Sequence, residues 1–150
     1  MELLNAFSVY WDVVLSLNLN EAIIVHSVLT KKKQGEEDLE KMCEEIFEKL
    51  NIDTVVVHTS KQSLARNTDG LHTRKSFYIQ SPAISSGAGD NFNAGFCIGK
   101  LMGLETGTSL LLGHATSSLY MQSTNSPTVA EVLEFLSRNL SDTDSLQKIK

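Results

Sequence analysis

Gly87-Ala88-Gly89-Asp90-Asn91-Phe92-Asn93-Ala94-Gly95-Phe96 is the stretch on which the reading of this 150-residue chain turns. Two glycines flank one small residue, an acid follows, and an apolar segment of helical period starts directly behind it. The pattern predicts a helix start, with a row of unpaired backbone N–H groups beside a carboxylate. Such a terminus attracts phosphate or a developing oxyanion, because its orphan donors and the helix dipole both favour negative charge. A carboxylate there can take a proton from a hydroxyl that attacks the bound phosphate. Asp90 could serve merely as a cap. A cap, however, needs no Gly-x-Gly ahead of it, whereas close backbone approach to an anion does. A dinucleotide fingerprint fits poorly, since its third glycine would fall at Phe92. No glycine-rich loop ending in Gly-Lys-Ser/Thr is present either. Gly95, Gly99 and Gly103 recur every fourth residue and predict a groove without side chains, suited to tight packing of the same helix.

Working outward, Val13-Val14-Leu15-Ser16-Leu17 and Thr54-Val55-Val56-Val57-His58 are short apolar runs. They have the pattern of strands buried on both faces of a parallel sheet. Asn18 to Glu21 breaks the first run, and Ala22 to Leu29 reads as a helix. From Glu36 to Leu50, the residues Leu39, Met42, Cys43, Ile46, Phe47 and Leu50 share one helical face. Ser63 to Ile79 reads as short, more exposed strands joined by a turn at Asp69-Gly70. Three helices finish the chain: Asp90 to Met102, Thr108 to Met121 and Val129 to Asn139. The last opens on a capping box from Thr128 to Glu131, with Val129, Val132, Leu133 and Leu136 along one face. Leu3, Leu4 and Phe7 suggest the end of another short helix. Strands alternating with helices predict an α/β chain with a mainly parallel sheet flanked by helices. Residues 1–140 form the folded part, and the polar tail 141–150 is expected to fray.

Composition narrows the function. An apolar share of 41% with 21% charged residues describes a globular chain, and a net charge of -5 argues against a nucleic-acid partner. The one basic run, Lys31-Lys32-Lys33, meets Gly35-Glu36-Glu37-Asp38 and reads as a solvated linker between helices. Cys43 and Cys97 have no metal-ligand spacing and fall on apolar helical positions, so both are expected to be buried free thiols. No apolar run approaches the ~20 residues of a membrane span, and no signal-peptide pattern is visible. The expectation is a cytoplasmic protein. Asn139-Leu140-Ser141, which matches a glycosylation acceptor, is then a chance match.

The Gly87–Phe96 stretch resembles the second signature of the ribokinase-like sugar kinases, the phosphofructokinase-B type. The resemblance implies phosphoryl transfer from MgATP to the hydroxyl of a sugar or nucleoside. Gly87, Ala88 and Gly89 then form an anion hole for the transferring group, and Asp90 is the catalytic base. Asn18-Leu19-Asn20-Glu21, directly after a strand, is similar to the family's Asn-x-x-Glu motif. By that resemblance Asn18 and Glu21 hold magnesium and the phosphates through ordered water. Val55 to Val57 with Thr59-Ser60-Lys61 resembles the family's strand ending in Thr-x-Gly-x-x-Gly, which gives Thr59 a place near the nucleotide phosphates. Lys61 and Leu64 or its neighbours replace the glycines, so the turn must differ. His114-Ala115-Thr116-Ser117-Ser118 and Asn125-Ser126-Pro127 resemble the segment that lines the adenine pocket. Asn93, Ala115 and Asn125 thereby join the expected nucleotide-binding residues, although ordinary helix packing explains the same letters. Ile84-Ser85-Ser86 stands where the family writes Asp-Thr-x. Ser85 can replace a hydroxyl, but Ile84 cannot replace a carboxylate, which marks a subgroup or weakens the tuning of the loop.

The resemblance runs from about Trp11 to Leu136 and corresponds to the family's C-terminal half. It implies that the N-terminal strands, the sugar-binding residues and a small β lid lie outside this sequence. An incomplete ribokinase-like sheet has an unpaired edge and uncovered apolar faces, so the chain is expected to self-associate and to be inactive alone. A homodimer is also implied. Two other readings stay open: a nucleotide-binding pseudoenzyme or assembly module, and an α/β domain whose Gly-x-Gly turn is only structural.

Overall fold

Val55, Val56 and Val57 expose no surface at all, and this β-branched run forms an inner strand, as its residue types favour. The computed structural model describes residues 2–31 and 38–147. Its chain divides into two units, Met1–Ser76 and Phe77–Lys150. In the first, β1 (Val14–Asn18), β2 (Thr54–His58), β3 (Gln62–Asn67) and β4 (Gly70–Lys75) lie side by side in chain order. β1 runs parallel to β2, from Val14↔Thr54 to Asn18↔His58. β2–β3 and β3–β4 are antiparallel. The sheet is therefore mixed: the two apolar runs pair in parallel, and a meander extends them.

Burial differs from the sequence reading in two strands of this sheet, β1 and β3. Only Leu17 of β1 is fully buried, because β1 is an edge strand among the described residues. β3 is not an exposed strand, since Ser63, Leu64, Ala65 and Asn67 are buried. The β3–β4 turn lies where Asp69-Gly70 predicts it. Asn67 Oδ1 accepts from Asp69 N at 3.0 Å, and Gly70 takes a φ of 133° that other residues resist. Residues 76–79 form no strand.

The same unit holds α1 (Glu2–Phe7), α2 (Leu19–Thr30) and α3 (Leu39–Lys49). α2 begins three residues before the expected Ala22. Asn18 to Glu21 is a helix start rather than a break, for reasons seen at the site below. α2 ends at Lys31, whose φ is 58°. The rest of the basic run, Lys32-Lys33, and Gly35-Glu36-Glu37 lie outside the described residues, as does the expected helix start at Glu36. α3 is capped by Asp38, whose Oδ1 accepts from Glu40 N at 3.2 Å. Its predicted face is the buried one: Met42, Cys43 and Ile46 meet Leu17, Val55 and Leu64 in the core.

The second unit consists of α4 (Ala88–Leu101), α5 (Thr106–Ser123) and α6 (Val129–Gln147) with their connections. The glycine groove is real at two of its three positions. A Cβ on Gly95 would lie 2.5 Å from Thr116 Oγ1 and 2.7 Å from Leu112 O, and one on Gly99 would lie 2.8 Å from Ser109 Oγ. Gly103 does not line the groove; it follows the end of α4 at a φ of 73°, with no neighbour near its missing side chain. Cys97 is exposed rather than buried. Phe92, Phe96 and Gly99 face inward, and each step along a helix turns the next side chain by ~100°.

α6 has its capping box: Glu131 Oε2 accepts from Thr128 N at 2.7 Å, and Glu131 N donates to Thr128 Oγ1 at 3.3 Å. Its buried face is narrower than expected. Val132 is buried, but Val129 and Leu133 are 64% and 60% exposed. Phe135 meets the Phe77 ring edge to face at 4.8 Å and turns the contact toward the Val132–Phe135–Leu136 side. The helix continues past the expected end at Asn139 to Gln147, into the stretch read as a tail; residues 148–150 lie outside the described ones.

Candidate functional site

In α/β sheets, ligands sit outside the carboxyl ends of parallel strands. In the first unit those ends are Asn18 on β1 and His58 on β2, which are Cα partners. A cavity of about 340 Å³ opens there, lined by Asn18, Leu19, Asn20, His58, Thr59 and Ser60. Asn18 caps α2: its Oδ1 accepts from Glu21 N at 3.0 Å, while Glu21 Oε2 accepts from Asn18 N at 2.8 Å. This reciprocal box leaves Asn18 Nδ2 and Glu21 Oε1 outside it. The expected metal and phosphate positions thus also start the helix, and the dipole of that helix favours an anion beside them.

Thr59 sits at the start of the β2–β3 connection. Its hydroxyl accepts from Lys61 N at 3.1 Å and from Gln62 N at 3.0 Å, and donates to Gln62 O at 2.9 Å. This explains how the turn manages without the family's glycines. Thr59 closes it with a side chain, and neither Lys61 nor Leu64 takes a positive φ. His58 was not singled out by the sequence. Burial pushes its pKa below the ordinary value, and the nearby Glu21 carboxylate pulls the other way. The signal was positional: a polar, ring-bearing residue ends a run of valines at a strand's carboxyl end.

In the second unit, Gly87 caps α4 with φ 84° and ψ -3°, a left-handed conformation that favours glycine. A Cβ there would also lie 2.8 Å from Tyr120 Oη. Ala88 N donates to Ser85 O at 3.2 Å, and Asn91 N reaches back to Gly87 O at 3.1 Å. Between them, the Gly89 and Asp90 amides belong to the first turn, where the helix offers no acceptor. The Asp90 side chain is exposed in that same turn. Ala83 N and Ile84 N both donate to Met121 O, at 2.8 and 3.3 Å. The segment before the glycines is thus fastened through its backbone, which an isoleucine supplies as well as an acid.

The remaining expected residues are spread along this unit. Asn93 lies one turn beyond Asp90 and is half-buried. Ala115 is fully enclosed within α5. Asn125 is exposed after α5, its Nδ2 donating to Ser123 O at 3.1 Å.

Among the described residues, no group of three or more His, Cys, Asp or Glu could hold a metal ion, and no helix is long and apolar enough to cross a membrane. Magnesium needs no such cage when it arrives on phosphates and keeps its waters. The Asn18 amide on the cavity wall and the exposed Glu21 carboxylate in the first turn of α2 fit that role.

The sequence profile of the prokaryotic ketohexokinases matches residues 1–139. The chain belongs to the prokaryotic ketohexokinase family. Solved structures give this family member a ribokinase-like fold. Ribokinase from Thermotoga maritima superposes with a TM-score of 0.72 at 22% identity, over 85% of this chain and 43% of that one. Ribokinase from Arabidopsis thaliana, complexed with ribose and ATP, gives 0.68 at 24% identity, over 82% and 40%. The nucleoside kinase of Methanocaldococcus jannaschii, an archaeal member of the ribokinase family, gives 0.64 at 25% identity, over 83% and 40%. The ketohexokinase-family chain therefore spans less than half the length of these relatives. No curated protein sequence matches it.

Proposed function

We propose that this chain is the phosphate-donor half of a carbohydrate kinase, which moves the terminal phosphoryl group of MgATP to a sugar hydroxyl. The observation that carries the reading is the opening of α4. A left-handed Gly87 presents the Gly89 and Asp90 amides at a helix N-terminus, with an exposed carboxylate in the same turn. Phosphoryl transfer asks for in-line positioning and neutralised equatorial oxygens rather than covalent help. The two amides would hold the transferring group, and losing one such donor typically costs roughly 10²–10³ in rate. An Asp90 oxygen would accept the proton of the attacking hydroxyl. Asn18 and Glu21 would hold magnesium through water, and the ion supplies charge neutralisation on the donor phosphates. Thr59 keeps the β2–β3 turn in place, and Asn93 and Asn125 would serve the nucleotide. A cytoplasmic setting and a homodimer go with this reading.

Calorimetry with MgATP and MgADP on the purified chain is the first test. Saturable, magnesium-dependent binding that Gly89→Asp abolishes is expected; a folded chain that binds neither nucleotide overturns the proposal. In a complete kinase carrying this half, Asp90→Asn should cut turnover by about 10²–10⁴ and leave nucleotide affinity nearly unchanged. Undiminished turnover would remove Asp90 from the role of base. Nucleotide binding without turnover in the intact protein would make it a pseudoenzyme.

A further inference from the structure

We infer that the β1 side of the first unit is a docking seat whose occupant is the complementary part of a ribokinase-like fold, bringing one strand to β1 and one helix to α2. The inference goes beyond the phosphate-donor reading and does not depend on it. The first observation is a contrast between two edges. Among the described residues, β1 and β4 are the outer strands of the sheet. Free edges are blunted by charge, proline or a bulge, because their unpaired N–H and C=O groups invite another strand. β4 ends on the exposed Arg74 and Lys75. β1, Val14-Leu15-Ser16-Leu17-Asn18, holds no charge and no proline, and its register with β2 is unbroken. One edge is guarded, and the other is left fit for pairing.

The helix layer ends on the same side in the same condition. α3 packs on β2 and β3, while α2 packs on β1 and on α3, so α2 is the outer helix over the outer strand. Glu21 is the only charged residue of α2. Ala22 and His26 are buried, and two steps of ~100° further round, Ile24 and Val28 are 54% and 66% exposed. A helix that is apolar on opposite sides is one that is covered on both. Strand layer and helix layer thus stop at one common border.

That double border selects the occupant. An extended peptide would pair with β1 and leave Ile24 and Val28 bare. A second copy of this chain would extend both layers but supply nothing of the fold that is missing. The chain covers 43% of Thermotoga maritima ribokinase and 40% of the Arabidopsis thaliana enzyme, so more than half of each has no counterpart here. A strand with its crossover helix from that remainder extends both layers at once, as β1 with α2 already extends β2 with α3.

The test co-expresses the full chain with the part of a complete prokaryotic ketohexokinase that lies outside the segment aligned with residues 1–139. The expected product is a soluble complex of one chain with one fragment. When it forms, hydrogen exchange should slow at the β1 amides, 14–18, and stay unchanged at the β4 amides, 70–75. Ile24→Lys combined with Val28→Lys alters two exposed side chains, so this variant should melt like wild type. It should nevertheless bind the fragment about a hundredfold less well, the scale of two aliphatic side chains that fail to be buried. Absence of a complex with the wild-type chain overturns the inference. So does a complex that protects amides 70–75 instead, or one that tolerates both lysines. A dimer of this chain that shields amides 14–18 and persists beside the co-expressed fragment gives the seat to a second copy and overturns it too. The phosphate-donor reading is untouched by these outcomes, since it stands or falls with MgATP and MgADP binding.

Discussion

Gly87 has two independent reasons to be glycine: its φ of 84° and the Tyr120 hydroxyl 2.8 Å from where a Cβ would stand. The left-handed conformation alone costs an alanine about 1–2 kcal/mol. The contact adds to this, and Tyr120→Phe removes the hydroxyl, leaving ring carbons as the nearest atoms. Gly87→Ala should therefore be partly rescued by Tyr120→Phe in a denaturation double-mutant cycle; strictly additive effects would show that the hydroxyl is not what the Cβ meets. Asn18 permits a cleaner separation of structure from ligand. Asn18→Ala should cost about 1 kcal/mol by uncapping α2. Asn18→Ser keeps an acceptor for the Glu21 amide but loses Nδ2, so it should melt like wild type and bind MgADP less well. The thiols form a third contrast. Cys43 is buried, and that burial pushes its pKa up to about 12, whereas Cys97 is exposed. At pH 8 a disulfide reagent should titrate one thiol at once and the second only on unfolding. Two fast thiols would mean that the α3–β2 core opens readily.

At the scale of elements, the tightest contact is that of α4 with α5, where backbone meets backbone at Gly95 and Gly99. Gly99→Ala brings a Cβ to 2.9 Å from Ser109 Cα, an atom that cannot swing aside. The helices must part, and a loss of about 1–3 kcal/mol is expected in urea unfolding. Gly103→Ala meets nothing and should lose only the left-handed preference of glycine. Gly95 and Gly99 were legible in the sequence, as were the Thr128–Glu131 box and the buried face of α3, because each rests on local spacing; Gly103 kept the spacing but lies beyond the helix end. Other elements were not legible in that way. Asn18-Leu19-Asn20-Glu21 reads as a break in the apolar run and as a ligand motif, yet it starts a helix whatever else it does. Short runs such as Val55–Val57 announce burial but not strand direction. Only the two-residue turn before Gly70 pointed to the antiparallel meander. The polar letters of Ser63 and Asn67 disguised a buried strand. On α6 the apolar stripe is wider than the contact it makes, and the Phe77–Phe135 pair decides which edge is used. At the site, the opening of α4 was readable because Gly-x-Gly-Asp is contiguous. His58 was hidden because its neighbourhood is made by a strand about forty residues away in sequence.

For the whole molecule, length is the governing fact, since the chain covers 43% of Thermotoga maritima ribokinase. β1 is an edge strand among the described residues, and just before it Tyr10 and Trp11 are 78% and 73% exposed. An open strand edge beside bulky apolar side chains is a template for association. Sedimentation velocity across a hundredfold concentration range should show growing oligomers; one concentration-independent monomer boundary would refute this. The parallel β1–β2 pair also sets a schedule. Val13 reaches Asp53 across 40 positions, while β2, β3 and β4 follow one another through short turns. Closing a long loop costs entropy before any contact rewards it. The meander should accordingly acquire protection first and β1 last, and pulsed hydrogen exchange should find amides 62–75 shielded before amides 14–18. The strand that carries Asn18 is then the final piece to arrive, so the cavity at its end comes into being only as folding finishes.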